Sequence, residues 1–130
     1  MRSLVAVVLG LLAGCGGGSP TGRTVVSNGG TFTVTFETTP ASIPMNEPFT
    51  VVFKVSTRSG SPVEGAKLEI DARMPAHGHG MNRGPKLSKT PDGSTRAEGM
   101  LFHMPGRWEM YFDIIQGGRS ERAQVDVDLK

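Results

Sequence analysis

Over residues 66–74 the chain alternates without a break, with Ala66, Leu68, Ile70, Ala72 and Met74 on one parity and Lys67, Glu69, Asp71 and Arg73 on the other. A helix would spread those four charges around its circumference, whereas a strand sends every second side chain to one face. The pattern therefore dictates a strand with one packed face and one wet face. The same period recurs at Phe32, Val34 and Phe36 with threonines between them, at Phe49, Val51, Phe53 and Val55, at Trp108, Met110, Phe112 and Ile114, and at Val125, Val127 and Leu129. Between these runs lie breakers. Three prolines over residues 40–48 cannot sit in a paired central strand, and Ser59-Gly60-Ser61-Pro62 stops the second run. Pro91-Asp92-Gly93 supplies the torsions of a tight turn between extended residues 86–89 and 94–98, and residues 100–104 read as one further extended segment.

No stretch beyond the leader has helical period, and 18 Gly and 9 Pro in 130 residues fit many turns better than long helices. The expectation is an all-β fold, an immunoglobulin-like antiparallel β-sandwich of about seven strands.

The N-terminus reads as an address. Met1 and Arg2 precede an apolar run over residues 4–12, interrupted only by Gly10 and too short to span a bilayer. It closes on Leu12-Ala13-Gly14-Cys15, which resembles the bacterial lipoprotein box, whose cysteine becomes lipid-modified and N-terminal. Residues 1–14 are thus expected to be a lipoprotein signal peptide, residues 15–29 a lipidated Cys15 with a flexible tether, and residues 30–130 the folded domain. The expected localisation is the cell envelope, lipid-anchored and facing the periplasm or cell exterior; the absence of Asp after Cys15 favours the outer membrane in a diderm cell.

Lipidation would consume the single cysteine, which removes thiol catalysis, redox cycling and thiolate metal ligation together. Losing Arg2 with the leader leaves 13 basic against 12 acidic residues and no basic cluster, so nucleic acid is excluded as an expected partner. No Gly-x-Ser-x-Gly elbow and no phosphate-cradling loop before a helix is present, and Glu69, Asp71 and Asp113 sit on wet strand faces. The chain is not expected to be an enzyme.

All three histidines and four of the seven methionines fall in two stretches, Met74-Pro75-Ala76-His77-Gly78-His79-Gly80-Met81 and Met100-Leu101-Phe102-His103-Met104. Each contains or adjoins a Met-Pro step, so each lies where a strand gives way to a loop, and in a sandwich two such loops can meet at one end. In an extended backbone His77 and His79 would lie on the same side, with Met81 at the same parity. Imidazole with thioether suits soft Cu(I), and Cu(II) through the imidazoles, better than oxygen-seeking magnesium or calcium; thioether is a poor zinc ligand. The candidate metal ligands are His77, His79 and Met81 with His103 or Met104, and the candidate cofactor is copper, Cu(I) before Cu(II). Parity also assigns Met74, Met100 and Met104 to the core, since they alternate in step with Ile70 and Phe102, and Trp108 likewise.

These residues, with Pro85, Asp92-Gly93 and the run Phe102-His103-Met104-Pro105-Gly106-Arg107-Trp108, resemble the YtkA-like family, related to FixH-type proteins. The likeness covers most of residues 49–129 and is weakest in the N-terminal third. It implies a small, membrane-anchored extracytoplasmic β-sandwich, with FixH relatives associated with assembly of copper-containing respiratory oxidases. The chain differs from FixH-type proteins in carrying a lipoprotein signal in place of a transmembrane helix. It differs from periplasmic Cu(I) chaperones of the PCuAC type in that His103 and Met104 are adjacent.

The functional expectation is a membrane-anchored extracytoplasmic copper-binding protein that transfers or buffers the metal, with the membrane and a copper-donating or copper-accepting protein as partners. The alternative is a non-catalytic envelope interaction or structural module in which the histidine loop binds no metal.

Overall fold

The computed structural model describes residues 22–130. The expected leader, Cys15 and the first part of the tether lie outside the described residues. Among the described residues nine strands form two antiparallel sheets: β1 (Arg23–Val26), β2 (Phe32–Thr39), β3 (Phe49–Thr57), β4 (Lys67–Met74), β5 (His79–Gly80), β6 (Lys86–Lys89), β7 (Thr95–Met100), β8 (Gly106–Gln116) and β9 (Arg119–Leu129). One sheet has the order β1-β2-β3-β7-β6 and the other β5-β4-β8-β9. The all-β sandwich expected from the alternation is therefore what forms, with nine strands instead of seven.

The alternating residues are the core. Phe32, Val34, Phe36, Val51, Phe53, Val55, Ile70, Ala72, Met110, Phe112, Ile114, Ala123 and Val125 are all buried between the sheets. Phe112 of one sheet meets Phe36 and Phe53 of the other at ring-centroid distances of 5.3 and 4.9 Å. Each large apolar side chain so buried is worth roughly 1.5–3 kcal/mol. Alternation therefore carries the register: a one-residue slip would send all of them to solvent.

Two expectations are corrected in detail. The sandwich begins at Arg23, inside the segment read as tether, because Arg23–Val26 pairs with β2 from Arg23↔Phe36 to Val26↔Thr33. The hairpin around Pro91-Asp92-Gly93 forms, with Lys86↔Glu98 and Lys89↔Thr95 paired. Its second strand stops at Met100, however, so residues 101–105 are loop and not the extended segment expected. Just before that stop the register against β3 shifts between Phe49 and Thr50, around Gly99 at φ 85°. Such a bulge bends the strand end, and it leaves Met100 fully buried as the chain turns out of the sheet.

The two ends of the sandwich are distinct. At one, the turn between β1 and β2 is tied to β9: Asn28 N–H donates to the Arg122 carbonyl at 2.8 Å, and Ser27 Oγ donates to Glu121 Oε1 at 2.8 Å. At the other end β4 and β7 run out into the two stretches that hold the histidines.

Candidate metal centre

Local chemistry brings the first stretch back on itself. Pro75 opens a single 3₁₀ turn, Pro75–His77, and Gly78 ends it in the left-handed region at φ 65°, where a side chain would be strained. The chain then reverses, and β5 pairs with the end of β4 through Met74↔His79 and Arg73↔Gly80. The backbone across His77-Gly78-His79 is thus turned, not extended as expected, yet the two imidazoles still stack, with ring centroids 5.7 Å apart and planes at 26°.

The second stretch is bent over the only tryptophan. Trp108 Nε1 donates to the Met104 carbonyl at 3.0 Å, and Phe102 stacks on the indole at 4.6 Å with planes only 3° apart. Gly106, at φ 123°, lets β8 start hard against β4: a Cβ there would lie 2.9 Å from Met74 Cε. Met74 and Gly106 therefore draw the two loops together. His103 and His79 meet with centroids 5.2 Å apart, and both rings stand edge-to-face with Trp108 at 5.4 and 6.3 Å.

The candidate residues separate by burial. His77 is exposed, whereas His79, His103, Met81 and Met104 are half-buried, and both thioether residues pack against the core cluster. Met74, Met100 and Trp108 are buried core residues, as their parity required; Met104 is only partly so. The Nδ1 atoms of His79 and His103 are buried and have no hydrogen-bond partner. Leaving such a group desolvated and unpaired costs roughly 1–3 kcal/mol each.

The donor set has a definite composition. Among the described residues no three or more His, Cys, Asp or Glu side chains gather as a metal-binding group. The imidazoles of His79 and His103 remain, with Met81 and Met104 close to them in the sequence. With an imidazole nitrogen about 2.0–2.1 Å from a metal, the ring centroid sits about 3.2 Å from it, so two rings on one ion have centroids about 5–6 Å apart. The observed 5.2 Å between His79 and His103 falls within that span. The 5.7 Å between His77 and His79 does too, although the exposed position of His77 puts it at the rim.

One methionine escaped the sequence reading. Met45, in the proline-rich segment of residues 40–48, is exposed. Its neighbour Asn46, at φ 57°, donates its N–H to the Phe102 carbonyl at 2.8 Å, which places this connection against the His103 loop. No period or motif marks it; only the tertiary hydrogen bond does. Two clefts of about 480 Å³ each lie elsewhere among the described residues, and neither is lined by a histidine.

A model of the YtkA-like family matches residues 24–113. The chain belongs to the YtkA-like family. The YtkA-like match takes in both histidine loops and Trp108, and it begins within β1, upstream of the residues 49–129 that carried the resemblance. It stops within β8, before β9. No significant match to this YtkA-like chain was found among curated proteins or among solved structures.

Proposed function

We propose that this chain is an extracytoplasmic, lipid-anchored Cu(I)-binding protein that passes on or buffers the metal and has no catalytic step of its own. Membership of the YtkA-like family suggests a cell-envelope protein, which supports the compartment. The observation that carries the metal is the pair of buried, partnerless Nδ1 atoms on His79 and His103, with Met81 two residues after the one and Met104 next to the other in the sequence. Thioether and imidazole without a carboxylate suit a soft, low-coordinate cation, while structural zinc takes four ligands and magnesium or calcium take oxygens.

His79 and His103 would hold the ion, with thioether donation from Met81 and Met104, and His77 at the rim is placed to receive or release it. Trp108 and Phe102 fix the ring of His103 and exclude water from beneath it. The 3₁₀ turn around Gly78 gives His77 an exposed position, which transfer to a partner requires.

The test is anaerobic titration with Cu(I) against a competing chelator, using the full chain with Cys15→Ala so that the thiol does not compete. Trp108, the only tryptophan, reports binding through its fluorescence. One equivalent is expected to bind and to change that signal. His79→Leu with His103→Leu should weaken binding by at least about tenfold, equivalent to roughly 1.4 kcal/mol. Parent binding no tighter than that of the double variant would overturn the copper reading and favour the metal-free interaction module.

A further inference from the structure

The register of β1 fixes the direction from which the rest of the chain arrives. Val26 pairs with Thr33, close to the end tied by Ser27 and Glu121, and Arg23 pairs with Phe36, further along β2. Going backward from Val26 to Arg23 therefore means moving up β2 toward Thr39. That end of β2 is level with the histidines, because Thr39 pairs with Thr50 and the neighbouring Phe49 pairs with Met100, where β7 gives way to the His103 loop. Gly22 continues the course: a Cβ on it would touch Thr35 Cγ2 at 2.9 Å, the Phe36 carbonyl at 3.2 Å and Glu37 Cγ at 3.5 Å. The other sheet agrees. Arg23 shares a cleft with Val127 and Leu129, whose partners on β8 are Trp108 and Gly106.

We infer that the histidine end of the sandwich faces the membrane that holds the anchor, so that the site exchanges its ion with a protein embedded in or bound to that same membrane. This rests on the proposed copper function and on lipidation at Cys15. Six residues lie between Cys15 and Gly22, so seven steps of chain span at most about 25 Å. From the level of Phe36 the tied end is four residues of β2 away, roughly 13 Å, plus the turns beyond it. Thr39 at the histidine end is three residues away, roughly 10 Å, and Gly22 already heads toward it, so bringing the tied end to the bilayer would require the chain to reverse its course.

Energy transfer to labelled lipid distinguishes the two orientations. The full lipidated chain is bound to phosphatidylcholine vesicles carrying dansyl headgroups, and transfer from Trp108 is compared with transfer from a donor at the far turn, in Trp108→Phe with Ser59→Trp. Transfer from Trp108 is expected to be severalfold stronger, and a long Gly/Ser insertion before Gly22 should erase the difference. Should Trp108→Phe fail to fold, Ser59→Trp alone serves, since adding a distant donor must lower the mean transfer below that of the parent. Equal or stronger transfer from the far donor overturns the inference while leaving copper binding untouched. Failure of the full chain to bind vesicles, or binding unchanged by Cys15→Ala, overturns the anchor and the inference with it. Loss of the copper reading alone appears separately, as no Cu(I) binding in the titration.

Discussion

The two ends of this sandwich differ in how far they satisfy their buried polar groups. At the tied end the Glu121 carboxylate is buried, and its Oε1 accepts from Ser27 Oγ at 2.8 Å and from the Thr31 N–H at 3.2 Å. Gly29 leaves room for that carboxylate, which a Cβ there would displace. Only Oε2 lacks a hydrogen bond, with Arg119 at 4.0 Å. At the histidine end, two imidazole nitrogens are buried with nothing to bond, although the backbone around them is held just as firmly by Trp108 and Phe102. The tied end thus leaves one oxygen of its buried carboxylate unpaired, whereas the histidine end leaves a nitrogen of each of two rings so, and the proposed metal site rests on that difference.

The largest effect should come from removing the floor of the open end. Trp108 is fully buried, stacked on Phe102 and hydrogen-bonded to Met104, so Trp108→Ala is expected to cost about 3–5 kcal/mol in urea unfolding and to abolish the Cu(I) response as well. A loss below about 1 kcal/mol would show that the open end is loose rather than rigid, and would remove half of the contrast.

Next in size is the clamp at the tied end. Glu121→Ala leaves Ser27 Oγ and the Thr31 amide without their acceptor, so the melting temperature should fall clearly while Cu(I) affinity at low temperature stays unchanged. Hydrogen bonding from Thr31, opposed by burial and joined by Ser27, holds the Glu121 carboxyl below the usual carboxylate range. A depressed folded-state value means that the stabilisation is fully present above the unfolded value and is lost as pH falls through the folded one. The stability difference between parent and Glu121→Gln should accordingly shrink on acidification below the ordinary glutamate range. A difference that stays constant with pH would mean that the charge contributes nothing to the clamp.

How much of this was legible in the sequence follows from what each element depends on. β2, β3, β4, β8 and β9 were readable because each packs one face, and packing writes itself as alternation. β1 was not, because Arg23-Thr24-Val25-Val26 is four residues with no alternation, after a glycine-rich run, and only its pairing partner makes it a strand. β5 is two residues long and exists because Gly78 turns the chain left-handed. Tyr111 shows the limit of parity in the other direction. It occupies a wet-face position yet is buried, covered by the Arg122 guanidinium 4.2 Å above its ring and hydrogen-bonded through its hydroxyl to Glu109. At the site, composition located both loops, since all the histidines fall in them. It could not separate exposed His77 from half-buried His79 and His103, a distinction made by the 3₁₀ turn and by the indole.

The smallest expected change is the one that tests the contrast most directly. His103→Leu removes a ring whose edge-to-face contact with Trp108 is worth about 0.5–1.5 kcal/mol, and it also removes an unpaired nitrogen that costs roughly 1–3 kcal/mol. The two terms nearly cancel, with the balance toward stabilisation, so the metal-free variant should unfold at the same urea concentration as the parent or slightly above it. The corresponding loss in Glu121→Ala makes the two ends respond in opposite directions to removal of a buried polar group. Adding Cu(I) should then reverse the order at the histidine end, because an ion bound only by the folded parent adds about 2.7 kcal/mol at a free concentration of 100 times its dissociation constant. A His103→Leu variant less stable than the parent without metal would mean that Nδ1 is satisfied in solution. In that case the open end would be as fully bonded as the tied one, and its imidazoles would be structural.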